Sequence, residues 1–244
     1  MRQLLVLVLV LVGACSTSTE HFPIGPGGGN QPGAGGGGGG VVDASTDGAD
    51  AMVGPITGRV CLVTDLRGLD CATTGAGSIV VELGQYSATT TTDGSFTMPV
   101  TPSDTGLVWR ASAANIEPSL VPVSLTSAII PAITKTRYEE LLVANNTVQL
   151  SPGQGSIVFQ LVSPSGAIGA TATTTPAAAF PTRYDGADPI QWDTDATGAA
   201  ARIWIAGAAE GATTIQITPL TGTAITTTQL VEAGAITFGT IEVP

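Results

Sequence analysis

Short runs of apolar and β-branched residues, separated by Gly, Asp and Pro, recur along the chain from about residue 55 to its end. In the first half they lie at 56–63, 78–83, 87–92, 95–99, 107–111 and 120–125. In the second half they lie at 156–162, 169–174, 202–205, 213–217, 224–230 and 235–243. Short strands at regular spacing with turn residues between them are typical of β-sandwiches and not of alternating βαβ units. The pattern therefore predicts an all-β fold.

Two local patterns in the first half refine this prediction. Asp93-Gly94 separates two alternating runs, which is a strong signal for a β-hairpin. Leu107, Trp109 and Ala111 fall on one face of their strand, because successive side chains of a strand point to opposite faces. We therefore expect Trp109 in the core and a hairpin at residues 93–94.

One stretch, 131–146, has the spacing of a helix. Tyr138, Leu141 and Leu142 form an i, i+3, i+4 stripe that would face a core. Glu139 and Glu140 are adjacent, so they point about 100° apart on a helix and cannot act together as a catalytic pair. We expect them on a solvated helix face.

The length of the strand-rich region favours two folded units. A single sandwich of about 190 residues would be large, whereas about 100 residues is an ordinary size. The sequence predicts a leader at 1–14, a disordered Gly-rich tether at 15–54, a β-sandwich domain at 55–130, a linker with the short helix at 131–152 and a second β-sandwich domain at 153–244.

The first sixteen residues have the layout of a secretory signal. A basic residue, Arg2, precedes the apolar run 4–12, and Gly13-Ala14 precedes Cys15. The segment resembles the lipobox of bacterial lipoproteins. The resemblance implies a diacylglycerol and fatty acids such as palmitate on Cys15, and therefore a membrane-anchored envelope protein. Ser16, where an aspartate favours the inner membrane, points to the outer membrane. The alternative is an ordinary secretory signal with an incidental cysteine.

The segment that follows Cys15 is dominated by glycine, with six consecutive glycines at 35–40. It has no apolar periodicity that could offset the entropy of ordering it, so a flexible coil is expected. Over about 40 residues, flexible-chain scaling gives an r.m.s. reach of about 35 Å. Such a tether would hold the folded part clear of the lipid headgroups.

Composition excludes several function classes. The chain carries 8 Lys plus Arg against 19 Asp plus Glu, a net charge of −11, so no basic patch is available for nucleic acid. Its single histidine, His21, lies in the tether, and Lys135 is its single lysine. Acid–base and nucleophilic catalysis draw mainly on these residue types, on cysteine and on opposed carboxylates. We expect a protein that is not an enzyme.

Cys61 and Cys71 are the two cysteines of the strand-rich region. A secreted chain matures in an oxidising compartment, where such a pair forms a disulfide. A structural zinc site would need four Cys or His ligands, and this region has no histidine. The sequence therefore predicts a Cys61–Cys71 disulfide.

An acidic cluster, Asp185, Asp188, Asp193 and Asp195, is the main candidate for a metal site. The run from Asp193 through Asp195 to Gly198 resembles the opening of an EF-hand calcium loop, but Trp204 stands at the twelfth position instead of glutamate. Calcium on Asp193 and Asp195 and a Thr-rich turn between strands remain the two interpretations. No other cofactor is expected.

Aromatic residues in the second half suggest a binding surface. In the run 202–205, Trp204 falls on one strand face with Arg202, while Ile203 and Ile205 take the other. An outward Trp204 near Tyr184 and Phe180 would stack on a sugar ring or a peptide. The alternative is that Trp204 covers the sandwich edge or packs under the loop at 176–191.

The first half carries a family resemblance. Gly58-Arg59-Val60, the run from Gly77 to Leu83 and Thr92-Asp93-Gly94-Ser95-Phe96 resemble the carboxypeptidase-regulatory-like domain, and 155–158, 166–172 and 194–198 are similar in the second half. The resemblance implies transthyretin-like, Ig-like sandwiches. These motifs occupy turn and core positions and imply no chemistry.

Together these observations predict a non-catalytic lipoprotein with a structural or adhesive role at the bacterial cell envelope. Its partners would be the membrane, through the lipid, and an envelope protein or a glycan. The alternatives are a carbohydrate- or peptide-binding surface module and an accessory subunit of an envelope complex.

Overall fold

A computed structural model describes residues 55–68, 71–72, 74, 76–99, 108–123, 128–145, 149–163, 167–186 and 191–243. These residues belong to one compact unit, 49–244. The predicted leader, the lipidation site Cys15 and the Gly-rich tether lie outside the described residues. No helix within the described ranges is long and apolar enough to span a membrane.

The fold is all-β, as the hydrophobic pattern predicts. The strands are β1 Ile56–Leu62, β2 Val80–Leu83, β3 Tyr86–Thr89, β4 Ser95–Met98, β5 Val108–Ala113, β6 Ile116–Pro122, β7 Ala128–Ala132, β8 Gln154–Val162, β9 Thr171–Thr175, β10 Arg183–Tyr184, β11 Arg202–Ala209, β12 Gly211–Thr218, β13 Ile225–Val231 and β14 Ile236–Glu242. Helix α1 spans Lys135–Ala144.

The strands form three sheets stacked in a sandwich-like arrangement. The large sheet has the order β10-β11-β8-β14-β6-β5-β2-β3, and the two small sheets have the orders β4-β1-β7 and β13-β12-β9. The large sheet takes strands from both halves of the chain. Its joining strand is β14, which lies between β8 and β6 and is parallel to both. The last strand of the chain therefore ties the two halves together.

Three apolar clusters fill the space between the sheets. The first core draws its buried residues from 56–132, and the second core draws its residues from 157–243. The third core mixes the two halves. Its buried residues are Val63, Leu66, Ile133, Tyr138, Leu141, Leu142, Val158, Trp192, Trp204, Ala206, Ile236 and Phe238.

Helix α1 belongs to this third core. The side chain of Thr134 caps its N-terminus by accepting a hydrogen bond from the backbone N–H of Arg137. Its buried residues are Tyr138, Leu141 and Leu142, the stripe that the spacing predicts. The segment that the sequence places in a linker therefore packs against the large sheet and closes the third core.

The turn at Asp93-Gly94 is present, but the predicted hairpin is wrong. Strand β3 pairs with β2 in the large sheet, while β4 pairs with β1 in a small sheet. The turn thus carries the chain from one layer of the sandwich to the other. Gly94 has a φ of 87°, and a Cβ there would lie 2.4 Å from the carbonyl oxygen of Val60. Only glycine fits this crossing between layers.

The Asp93 carboxylate organises the same turn. It accepts hydrogen bonds from the hydroxyl of Thr91 and from the backbone N–H and hydroxyl of Ser95. These bonds, led by that from Thr91, hold the pKa of Asp93 well below its usual range. The charged form is therefore the one that the folded turn favours.

Because of this turn, we expect the stability of the folded protein to decrease at low pH. Because the pKa of Asp93 is lower in the folded chain than the usual value of about 3.9, its contribution is present above pH 4 and is lost as the pH falls further. We expect the thermal midpoint of the wild-type protein to fall more between pH 5 and pH 2 than that of Asp93→Asn. Thermal unfolding followed by circular dichroism at several pH values measures this difference, and parallel pH profiles would contradict it.

Candidate functional site

The predicted disulfide is confirmed. Cys61 lies in β1 and is 1% exposed, and it is bonded to Cys71 across a sequence separation of 10 residues. The backbone N–H of Ala72 donates to the carbonyl oxygen of Leu62, so the returning chain also runs beside the end of β1. The cysteines act as a covalent staple on this strand.

The aromatic surface predicted around Trp204 does not exist. Trp204 is 0% exposed and Tyr184 is 4% exposed, while Phe180 is half-buried against the third core. The hydroxyl of Tyr184 accepts a hydrogen bond from the backbone N–H of Ala172 at 2.9 Å. Side chains 202–205 do alternate between the two faces of β11, but both faces of this strand are buried. The rings of Trp204 and Tyr184 are therefore not available for stacking on a ligand.

Trp204 instead connects three elements inside the third core. Its ring centroid lies 6.2 Å from that of Tyr138 on α1 and 5.4 Å from that of Trp192. The guanidinium of Arg67 lies over the Trp192 ring at 5.8 Å from its centroid. Tilted aromatic pairs at these distances are favourable beyond the area that they bury. This cluster joins the loop after β1, helix α1 and the large sheet.

Asp185, from the predicted acidic cluster, has a structural role. It is 4% exposed, and its carboxylate accepts backbone N–H bonds from Gly198 at 2.9 Å, Ala200 at 2.7 Å and Arg202 at 2.9 Å. The carboxylate thus supplies the hydrogen-bond acceptors for three backbone N–H groups of the loop that leads into β11. The sequence did not reveal this role, because the N–H groups that Asp185 accepts lie 13–17 residues further along the chain.

Replacing Asp185 by asparagine is expected to destabilise the fold by about 2–4 kcal/mol. The amide has one acceptor oxygen, so at least one of the three part-buried N–H groups loses its partner, and the amide NH₂ would face a donor. Urea unfolding measures the change. The control is Asp195→Asn, which changes the same charge at an exposed position. Equal midpoints for the two variants would contradict this role.

The calcium candidates lie in a turn. One carboxylate oxygen of Asp193 accepts the backbone N–H groups of Thr194 and Asp195, and the Asp193 backbone pairs with that of Tyr184. Within the described ranges, no three His, Cys, Asp or Glu side chains gather as metal ligands. Asp188 lies outside those ranges. The described geometry is that of a Thr-rich turn between strands.

A groove opens where the two halves of the chain meet, and we call it the seam groove. Its volume is about 410 Å³. Apolar residues line it from two strands, Val121 and Pro122 of β6 and Ile129 and Pro131 of β7. Ile129 is 58% exposed. The groove lies beyond the short ladder between β14 and β6, in which only Ile236 and Thr237 of β14 pair with β6.

The large sheet contributes a polar row to the seam groove. Arg202, Gln160 and Thr240 are direct register partners across β11, β8 and β14, so their side chains share one face. The next row on the same face, two residues along each strand, consists of Trp204, Val158 and Phe238 of the third core, which helix α1 covers. The seam groove is thus the uncovered continuation of the third core.

Arg202 is the charged residue among those that line the seam groove. It is half-buried, and burial lowers the pKa of its guanidinium, while the Asp185 carboxylate opposes that shift. Its Nε is buried and has no hydrogen-bond partner in the described part of the chain. A buried donor without a partner is costly, so this Nε destabilises the wall of the groove.

A second surface lies on the outer face of the β13-β12-β9 sheet, and we call it the threonine face. Register pairing places Thr175, Thr214 and Thr228 in one row and Thr173, Gln216 and Thr226 in the next. Thr171 and Thr218 form a third row, and Ala212 with Leu230 a fourth. No outward residue of these three strands is charged. The opposite face of the sheet packs on the second core.

Comparisons with known proteins give structural likeness only. No family model and no curated protein matches the chain, so the resemblance to carboxypeptidase-regulatory-like domains stays a prediction. Among solved structures, the minor pilin GBS52 of Streptococcus agalactiae is similar, with 15% identity, a TM-score of 0.28 and coverage of 78% of this chain and 97% of that one. The shaft pilin spaA of Lactobacillus rhamnosus GG is also similar, with 10% identity, a TM-score of 0.23 and coverage of 78% and 97%. These comparisons assign no family.

Proposed function

We propose that this protein is a non-catalytic lipoprotein, anchored through Cys15 in the outer membrane, with a structural or adhesive role at the bacterial cell envelope. The leader pattern before Cys15 supports the anchor, and the glycine-rich stretch after it supports a flexible tether. The folded unit supports the role itself, because its stabilising features surround the strand into which the tether leads.

That strand, β1, carries the proposal. It is the central strand of its sheet, paired with β4 over four register positions and with β7 over five. Because β1 is bonded along both edges, it can leave the sheet only when both ladders break, whereas a strand at an edge is held by one ladder. The Cys61–Cys71 staple lies at the far end of β1. A joint of this kind suits a module that must hold its fold under tension.

The threonine face supports the adhesive part of the role. A chain of net charge −11 is repelled by anionic envelope surfaces within a Debye length of about 8–10 Å. An outward sheet face without charged side chains can approach such a surface, and its hydroxyls both donate and accept hydrogen bonds. We infer that adhesion to glycan-covered surfaces would use this face.

Palmitate labelling tests the anchor. The full chain is expressed in a bacterium that matures lipoproteins, with Cys15→Ser as the matched control. We expect radiolabelled palmitate on the wild-type protein and its recovery with outer membranes, and no label on Cys15→Ser. A wild-type protein that remains unlabelled, or whose mature N-terminus lies elsewhere, would overturn the proposal of a lipid anchor.

Bead adhesion tests the threonine face. Beads coated with the protein are measured for attachment to isolated envelope fragments. The variant Thr173→Glu/Thr214→Glu adds two charges to the face, and Ile129→Glu/Val143→Glu adds two charges at positions of β7 and α1 that are 58% and 75% exposed. We expect attachment to fall at least several-fold only for the first variant. Equal attachment would exclude the threonine face from adhesion.

A further inference from the structure

We propose that the free edge of β13 binds an extended, uncharged segment of a partner protein, which adds as a fourth strand to the β13-β12-β9 sheet. This inference goes beyond the proposed envelope role and does not depend on the lipid anchor. Four features carry it: unpaired main-chain groups along β13, core-facing side chains that are only half-buried, an edge without charge or proline, and the large sheet beneath that edge.

A hydrogen bond on β9 shows in which direction the main chain of β12 points. The N–H of Ala172 donates to the hydroxyl of Tyr184, so the main-chain groups of Ala172 point away from β12. In an antiparallel pair, opposite residues either face each other or both face away. Ile217, the register partner of Ala172, therefore faces β13.

Strand β13 is thereby oriented as well, with Ile225 and every second residue after it facing β12. Leu230 belongs to the other set, and its carbonyl oxygen accepts a hydrogen bond from the hydroxyl of Thr237 at 2.9 Å, which agrees with this direction. No hydrogen bond within the described ranges uses the N–H or C=O of Thr226 or Thr228. These two residues therefore offer their donors and acceptors to an added strand.

The core-facing side of β13 is incompletely covered. Ile225, Thr227 and Gln229 lie on the face of the sheet that packs on the second core, yet they are half-buried. The residues of the same face on the neighbouring strand β12 are 0% exposed: Thr213, Ile215 and Ile217. A strand added beyond β13 would cover its core-facing side chains, as β13 covers those of β12.

The opposite edge of this sheet, β9, is closed by other parts of the chain. Tyr184 bonds to Ala172 of β9, and Thr197 bonds to both main-chain groups of Ala170 just before it. Other edges are blunted by charged side chains, proline or bulges. Strand β13 carries no charge and no proline, and it pairs with β12 over seven positions without a register shift. Its edge therefore has none of these protections.

The large sheet continues beneath this edge and limits what can bind there. Thr237 of β14 reaches β13, and Leu120 of β6, its register partner, shares its face. Leu120 in turn pairs with Arg110 of β5, whose guanidinium forms an ion pair with Glu232 just after β13. Packed sheets lie about 10 Å apart, so one extended segment fits above β6. A second copy paired through its own β13 would bring its large sheet into β6 and β5.

The surroundings of the edge specify an uncharged segment. Side chains of an added strand would alternate between the threonine face, beside Thr226 and Thr228, and the space above Leu120. A charge placed in that space would lose water without gaining a partner, because Arg110 is already paired with Glu232. We therefore expect apolar residues at alternate positions of the bound segment and hydroxyl residues between them.

The probe is a fluorescein-labelled, end-capped peptide of alternating threonine and valine. Methyl groups on every valine amide block one of its edges, so it can add to β13 but cannot stack on itself. A second peptide is N-methylated at every amide, and a third carries asparagine instead of valine. Binding to the full chain in detergent is measured by fluorescence anisotropy. We expect both control peptides to bind at least about tenfold more weakly, because the second cannot donate to β13 and the third buries no apolar side chains.

Amide exchange locates the bound peptide. In the free protein, the N–H groups of Thr226 and Thr228 should exchange with deuterium faster than those of Thr227 and Gln229, which face β12. Saturating peptide should slow the exchange of Thr226 and Thr228 at least about tenfold and leave the other two unchanged. Nuclear magnetic resonance of the full chain in detergent measures these rates.

Matched variants of the protein test the edge itself. Thr227→Lys places a charge among the core-facing side chains of β13, and Thr173→Lys adds the same charge at an exposed position of β9. We expect the first variant to bind the probe at least about tenfold more weakly and the second to bind like the wild type. Thr228→Pro removes an edge-facing N–H and keeps the test decisive if Thr227→Lys fails to fold, with Thr228→Val as its control.

Four results would overturn the proposal. The first is no binding of the probe at about 1 mM, and the second is equal binding of the fully N-methylated peptide. The third is unchanged exchange of Thr226 and Thr228 at saturating probe, which would place the binding elsewhere. The fourth is a concentration-dependent dimer in sedimentation that Thr227→Lys abolishes, which would assign the edge to a second copy of the chain.

Discussion

Replacing Trp204 by alanine is expected to lower the free energy of unfolding by about 3–5 kcal/mol, the range for removing a large aromatic side chain from a core. Trp204 is 0% exposed and packs between Tyr138 and Trp192, so the cavity would open where helix α1 meets the large sheet. In a unit of about 190 residues this corresponds to a fall of about 6–20 °C in the thermal midpoint. Scanning calorimetry measures it.

The control for this experiment is Val143→Ala, because Val143 is 75% exposed on α1 and its truncation removes little buried area. A Trp204→Ala protein as stable as the control would contradict the buried position of the ring.

The same calorimetric scan of the wild-type protein tests whether the two halves of the folded unit unfold together. Since β14 pairs with both β8 and β6, we expect the wild-type protein to unfold in one transition. Two resolved transitions would show that the halves unfold independently.

Removing the Cys61–Cys71 disulfide is expected to cost about 3 kcal/mol, through the entropy that the unfolded chain regains when its short loop opens. The thermal midpoint of Cys61→Ala/Cys71→Ala would then fall by about 6–12 °C. Alanine is preferred to serine because Cys61 is 1% exposed and a hydroxyl there would be buried.

Reduction of the wild-type protein supplies the independent check on this disulfide. Dithiothreitol should bring the wild-type midpoint down to that of the double variant and leave the double variant itself unchanged. If reduction leaves the wild-type midpoint where it was, the staple contributes nothing to stability. In pulling experiments through the N-terminus, the same pair should limit the extension released when β1 detaches, because the loop between the cysteines stays closed.

The local sequence pattern predicted several structural features correctly. The stripe of Tyr138, Leu141 and Leu142 predicted the buried face of α1, and the alternation around Trp109 predicted its position in the first core. The pattern did not predict two of the strands. Strand β10 has only two residues, and β7 contains Pro131, which argues against a central strand. The structure accommodates that proline because β7 lies at the edge of its sheet.

The amino-acid sequence by itself determined the all-β class, the disulfide, the helix stripe and the tight turn at Gly94, since each depends on residues close together along the chain. The tertiary structure alone decided which strands became neighbours. Alternation of polar and apolar residues identifies the buried face of a strand only when the other face is exposed. Both faces of β11 are buried, because helix α1, which is distant in the sequence, covers the face that carries Trp204. Likewise, the seam groove exists only because β14 pairs with both β8 and β6 and so joins the two halves in one sheet. Such long-range pairings depend on the complementary shapes of distant segments, which no local pattern records.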